Sequence, residues 1–229
     1  MARLKVLSAG AVEGPLTGLI PEYSRDSGVD VDVSFSTVGD LKNRFVGGET
    51  ADVIVLSMPV LQALERDSRF VAGSVVELGR ASCGVAIRDG FLLPNIATAE
   101  TFKKALLAAR SVAQTDPAQG GSSGIYFAAL LERIGIAEAV KDKLIYGKTG
   151  RDVGFLVRNL RAELGVTFTS EFIPIEGLRV IGTFPKEHEF VNAYGAAIPR
   201  GGAIDEAKAL LAFLSGPAAK ERFKAFGLE

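Results

Sequence analysis

Apolar runs of four or five residues alternate with stretches in which apolar positions recur at helical spacing, along nearly the whole chain. Leu4 to Ser8 is predicted as a first strand. Gly14-Pro15 then opens a helix whose Leu16, Leu19, Ile20 and Tyr23 share one face. Asp30 to Phe35 alternates polar and apolar residues, the pattern of a half-exposed strand. A second helix begins at Gly39-Asp40 and stops at Gly47-Gly48. Asp52 to Leu56 reads as an apolar strand covered on both faces, and Ser57-Met58-Pro59 caps the helix after it. Further strands are predicted at Cys83–Ile87, Ser111–Gln114, Leu164–Phe168 and Val191–Ile198. Helices are predicted from Thr98 to near Arg110, Ser123 to Ile134, Thr149 to Glu163, Ala203 to Leu214 and Ala218 to Phe226, with an irregular loop at Phe91–Asn95.

Strands alternating with helices in this way predict an α/β fold with mostly parallel sheets. No repeat or Gly/Ser linker divides the chain, so any two lobes are joined by strands. The apolar strands near Ala86 and Ala193 are the expected crossing points. A first lobe of residues 1–86 with 193–229 and a second of residues 87–192 follow from them.

Composition narrows the function classes. The 229 residues suffice for a sizeable core without a staple, and 48% of them are apolar against 23% charged. A net charge of −1 with no basic stripe argues against nucleic acid as a partner. No apolar run is long enough to insert into a membrane. The single cysteine, Cys83, sits in an apolar run and reads as a core filler. The single histidine, His188, lies in a polar stretch expected to be exposed. With one of each, histidine-rich metal sites and serine–histidine–acid triads are poor candidates, and no metal or other cofactor is expected. The start Met1-Ala2-Arg3-Leu4 carries no apolar leader. The protein is therefore expected to be cytoplasmic if Met1 is native, and periplasmic if a signal peptide has been removed.

Four junctions between strand and helix carry small or hydroxylic residues: Ser8 to Ala11, Ser36 to Gly39, Gly120 to Gly124 and Gly165 to Ser170. In open parallel sheets ligands collect outside the carboxyl ends of the strands, where helix N-termini present N–H groups and partial positive charge. Such residues also occur at turns for purely conformational reasons. As ligand contacts the pattern nominates Gly10, Ala11, Thr37, Val38, Gly39, Ser122, Ser123, Lys148, Thr149 and Thr167. Gly120-Gly121-Ser122-Ser123-Gly124 is not a nucleotide-binding loop, because no lysine follows at the required spacing.

Over Leu4 to Leu64, and again in "TDPAQGGSSGIYFAALLERIGI", "DVGFLVRNLRAELGVTFTSE" and "ALLAFLSGPAAKERFKAFGLE", the chain resembles the molybdate-binding-protein family of type II periplasmic binding proteins. The resemblance covers essentially the whole chain. It implies a two-lobed α/β fold with mostly parallel sheets, a two-strand hinge, and a tetrahedral oxyanion held in the cleft by hydroxyls and backbone N–H groups. It also implies a partner permease of the ABC transporter kind if the protein is exported. Where that family usually offers serines this chain has Ala11 and Gly39, and where a tyrosine commonly ends the fourth strand it has Val166-Thr167-Phe168. A pocket with fewer hydroxyls is roomier and suits an organic acid whose carboxylates meet separate helix ends.

Two functions follow from different classes. The first is binding of a small anion, an oxyanion or small carboxylate, without chemistry. The second, drawn from relatives that resemble aconitate isomerases, is isomerisation of a di- or tricarboxylate by proton transfer. Glu13, Asp40 and Glu171 are the candidate bases and Lys148 and Arg151 the nearby cations. Glu13 and Asp40 also suit the first turn of a helix for electrostatic reasons alone.

Overall fold

The computed structural model describes residues 3–229; Met1 and Ala2, on which the compartment expectation turns, lie outside the described residues. In chain order the described residues form β1 (Arg3–Ala9), α1 (Glu13–Ser27), β2 (Asp30–Ser36), α2 (Val38–Val46), β3 (Val53–Ser57), α3 (Met58–Arg66) and β4 (Val76–Arg88). Then come α4 (Ala99–Ala108), β5 (Val112–Thr115), α5 (Ser122–Arg133), α6 (Ala137–Val140), β6 (Leu144–Gly147), α7 (Gly150–Arg158), β7 (Leu164–Phe168) and α8 (Thr169–Phe172). The chain closes with β8 (Leu178–Thr183), β9 (Val191–Ala197), α9 (Ile204–Leu214) and α10 (Pro217–Ala225).

The chain divides into two compact units. One comprises the residues up to Ala81 together with Asn192–Glu229, and the other Ser82–Val191. The chain passes between them twice, within β4 and at the start of β9.

In the first unit β2, β1 and β3 are parallel and β9 runs antiparallel to β3. All five residues of β3 are buried, whereas β2 at the edge is half-exposed, so the continuous and the alternating apolar patterns mark centre and rim. α1 buries Leu16, Leu19, Ile20 and Tyr23, and the Tyr23 ring meets Phe213 of α9 at 5.3 Å. Gly14 lets α10 approach: a Cβ there would stand 2.7 Å from the Phe226 ring.

In the second unit β6, β5 and β7 are parallel, β4 is antiparallel to β7, and β8 pairs antiparallel with β4. One face is packed by α7, where Val153 and Val157 meet Ala86, Ala113, Ala162 and Phe172. Elsewhere in this unit the rings of Phe102, Phe127 and Tyr126 cluster with Phe184, the Phe102–Phe184 pair at 5.1 Å, and Tyr126 stacks on Phe190 at 4.2 Å.

Several elements depart from the pattern-based expectation. The helix expected over Thr149–Glu163 ends at Arg158. There Leu160 takes a left-handed φ of 60° while Arg161 N–H donates to Leu156 O and Leu160 N–H to Val157 O. This is a Schellman ending with leucine in the place usually held by glycine, so no glycine announces it. β4 starts at Val76 rather than at Cys83, its first half carrying the exposed Glu77–Arg80 ion pair in place of an apolar run. β6, β8, α6 and α8 lie where no element is predicted, each six residues or fewer and too short for periodicity to show.

Candidate functional site

Strand register brings the junctions of each unit to one edge of its sheet. In the first unit Ala9 pairs with Ser36 and Ser8 with Val55, so β1, β2 and β3 end together. Gly10 and Ala11 form a short 3-10 turn into α1, and no side chain caps that helix. Thr37 is the N-cap of α2, its hydroxyl accepting from Asp40 N–H at 3.2 Å, with Val38 and Gly39 as the first helical residues. Glu13 stands in the first turn of α1. Asp40 is tied to Arg44 at 3.3 Å, and Arg44 is in turn held by both oxygens of Glu49 at 2.7 and 3.0 Å. Arg44 and Lys5 hold the Glu49 carboxyl down to about 2, chiefly through the Arg44 hydrogen bonds. Ser57, buried at the end of β3 with no capping bond, also belongs to this edge and was not nominated from the sequence.

The corresponding edge of the second unit is built differently. Thr115 of β5 pairs with Gly147 of β6, and Gln114 with Val166 of β7. Thr115 therefore stands beside Thr167, and α5, α7 and α8 start from one edge. Four side chains meet there. Thr115 Oγ1 lies 3.4 Å from Ser123 Oγ, Ser123 Oγ lies 3.0 Å from Thr167 Oγ1, and Thr167 donates to Glu171 Oε2 at 2.5 Å. All four are buried, Thr167 completely and Glu171 to 8% exposure. α5 can start so close only because residue 124 is glycine: a Cβ there would run into the Thr115 carbonyl. The Glu171 carboxylate lies against Gly150, the first residue of α7, where any Cβ would collide with both of its oxygens. A helix N-terminus is where a negative charge is most stable.

The structure thus gathers Ser123, Thr167 and Glu171 from three segments of the sequence. The other candidates of this unit stand around them. Ser122 begins α5, whose N-cap Gly121 supplies no side-chain bond. Thr149 caps α7, its hydroxyl donating to Asp152 Oδ2 at 3.0 Å and accepting from Asp152 N–H at 3.2 Å. Lys148 and Arg151 are exposed, and the Arg151 guanidinium lies 5.5 Å from the Phe155 ring centre. Sequence reasoning missed Thr115 and Gly150 and gave Gly124 only as the end of the Gly120 to Gly124 junction; the single available signal for Thr115 was a threonine ending a strand before Asp116-Pro117. Gln114 Oε1 and Ser170 Oγ are buried with no hydrogen-bond partner among the described residues.

Cys83 is buried in β4, and burial pushes its thiol well above the ordinary range, with the charge of Glu171 adding to the effect. A thiol so held is no nucleophile at neutral pH. His188 corrects the expectation of exposure: it is half-buried beside Phe102, at 6.3 Å between ring centres, and its backbone carbonyl accepts from the Tyr126 hydroxyl at 3.1 Å. Polar neighbours in sequence hid it because a 3-10 turn rotates the ring toward the aromatic cluster. No helix among the described residues is long and apolar enough to cross a membrane.

Comparison with known proteins gives one consistent family. The profile of the family described as bacterial extracellular solute-binding protein matches residues 4–229. An aconitate isomerase of Pseudomonas sp is 30% identical over 236 residues, covering 99% of this chain and 87% of that protein. The molybdate-binding protein ModA of Escherichia coli is 25% identical over 227 residues, covering 98% and 88%. Among solved structures, the periplasmic molybdate-binding protein of Azotobacter vinelandii superposes with a TM-score of 0.82 at 18% identity, covering 99% of this chain and 98% of that one.

Proposed function

The chain belongs to the bacterial extracellular solute-binding protein family, and from that premise we propose that it is a binding protein for a small anion, an oxyanion or a small organic carboxylate. The observation that carries this reading is the strand-end edge of the second unit. There the uncapped start of α5 at Gly121-Ser122-Ser123 stands beside β7 and the start of α7. Backbone N–H groups and partial positive charge at such a start suit an oxyanion. In the first unit the turn Gly10-Ala11 and the start of α2 at Thr37-Val38-Gly39 offer the same kind of contact. Four or five hydrogen bonds to a charged group, at roughly 1.5–3 kcal/mol each, reach the ~8 kcal/mol of a micromolar complex. The further reading, drawn from the molybdate-binding relatives, is a periplasmic protein that hands its ligand to an ABC transporter permease.

Thermal unfolding against molybdate, tungstate, sulfate, phosphate, citrate and the two aconitate isomers tests the proposal. A ligand at ~100 times its Kd adds about 2.7 kcal/mol, which raises Tm by roughly 5–11 °C in a chain of this size. No shift with any of them would remove the small-anion reading.

One observation favours a second reading. Glu171 is a buried carboxylate at this edge, as a general base requires, and the chain is similar to an aconitate isomerase. Under that reading trans-aconitate incubated with the protein becomes the cis isomer, and Glu171→Gln abolishes the conversion. Conversion unchanged in that variant would exclude Glu171 as the base.

A further inference from the structure

Three consecutive large apolar residues, Phe91-Leu92-Leu93, stand in water in the loop between β4 and α4, with exposures of 46%, 95% and 49%. Single exposed apolar side chains are common, but an unbroken run of them marks a contact surface. The loop is pinned on both sides of the run. Before it, Gly90 takes a left-handed φ of 81°, and its N–H donates to Asp89 Oδ1 at 3.0 Å. After it, Ala97 N–H donates to Asn95 Oδ1 at 2.9 Å. Ile96 is buried there, where a Cβ on Gly182 of β8 would stand 3.5 Å from its side chain. Ile96 thus anchors the loop to the unit, and the three residues before it are held outward.

The tip lies between two hollows of the second unit, and cations line both. Phe91 borders one of them with Arg88, Arg110, Glu163 and Leu160, the last itself 59% exposed. Leu93 borders the other with Arg179 and Lys186. Among the described residues Glu163 is the one acid lining either hollow, and Arg110 holds it at 3.3 Å. Arg88, Arg179 and Lys186 have no acidic partner among the described residues.

We infer that this tip seats the second unit on an anionic lipid surface. Phe91, Leu92 and Leu93 enter the headgroup boundary, and Arg88, Arg179 and Lys186 meet the lipid phosphates around them. Three residues reach that boundary without spanning the bilayer, and Pro94 behind them brings no N–H to be stripped of water. Charge decides the occupant. A second copy of the same face would bring unpaired cations against cations, whereas an anionic surface neutralises them. Shape agrees, since a convex apolar tip fits a fluid surface and a bound peptide asks for a groove. The inference is independent of the small-anion reading, whose residues lie in other segments.

Cosedimentation of the full chain with vesicles of mixed phosphatidylglycerol and phosphatidylcholine tests this. The wild type is expected to bind the mixed vesicles, to come off as salt is raised, and to leave pure phosphatidylcholine vesicles bare. Leu92→Asp should weaken binding about tenfold or more, the effect of withdrawing one inserted leucine. Arg179→Gln should weaken it about fivefold, the worth of one cation near such a surface. The chain has no tryptophan, so Leu92→Trp adds a single fluorophore, whose emission should move to shorter wavelength with the mixed vesicles alone. Thermal denaturation shows that each variant keeps its fold, and the Leu92→Trp emission decides the matter if Leu92→Asp does not. No vesicle binding by the wild type, binding that Leu92→Asp leaves unchanged, or an unshifted Leu92→Trp emission would overturn the inference. Self-association, or binding of polyglutamate, without vesicle binding would overturn it too, and would give the face to a second copy or to an acidic peptide. None of these results touches the small-anion reading, which the Tm shifts test separately.

Discussion

The strand-end edges of the two units spend their polar side chains in different ways. In the first, Thr37 caps α2 within its own first turn, and away from that edge, toward the far end of α2, Asp40, Arg44 and Glu49 form a partly exposed ionic chain joined by Lys5 of β1. In the second, Thr115, Ser123, Thr167 and Glu171 come from β5, α5, β7 and α8, and they are buried. Local polar contacts in partial solvent are individually weak and replaceable. Buried, mutually dependent contacts leave an unsatisfied group whenever one member is removed. The side chains of the second edge therefore depend on one another, and those of the first tolerate replacement singly.

The sharpest test of that contrast is Gly124→Ala. Its Cβ would enter the Thr115 carbonyl, with the carbon itself 2.9 Å away. Overpacking of this kind is expected to cost ~2 kcal/mol and to lower Tm by roughly 4–8 °C, as measured by thermal denaturation. Next in size is Thr167→Val, which leaves Ser123 and Glu171 each short of a partner, at ~1–3 kcal/mol by urea unfolding. Combined with Ser123→Ala it should cost less than the sum of the two, because the second change removes a group the first has already orphaned. Strict additivity would mean that the four side chains do not act as one chain.

In the first unit the effects should be smaller. Thr37→Ala removes a helix cap and is expected to cost ~1 kcal/mol by the same measurement. Arg44→Ala should have the smallest effect of these substitutions, a partly exposed ion pair being weak. That loss is present in full at neutral pH and shrinks in acid. Glu49 is held at about 2 against an ordinary 4.5, so its pairing stabilises the fold above the ordinary value and is lost as pH falls from there toward 2. The variant should lose less stability than the wild type across that interval, and an unchanged acid profile would show the ionic chain to be without effect. Cys83 provides an independent probe of the second unit. A disulfide reagent at pH 8 should label it only at the rate of unfolding, and rapid labelling of the native protein would mean that β4 opens locally.

The α/β class and the order of strands and helices were legible along the chain because burial on one element leaves a period in its own residues. β3, with five buried residues, and α1, with one apolar face, carry that record directly. The helix starts at Thr98 and Thr149 were equally local, whereas the second helix begins at Val38 with Thr37 as its cap, one residue before the expected Gly39. Short elements such as β6 and β8 left no such record, and the Schellman ending at Leu160 depends on hydrogen bonds rather than on residue type.

Of the candidate site, the sequence by itself marked the junctions and named Ser123, Thr167 and Glu171 singly. Only the tertiary structure decided that they touch, that Thr115 joins them, and that Gly150 yields its place to a carboxylate. The physical reason is one of range. A period or a cap is set by neighbours a few bonds away, whereas the direction of a buried hydroxyl is set by whichever group the strand register brings opposite, here across 44 residues from Ser123 to Thr167.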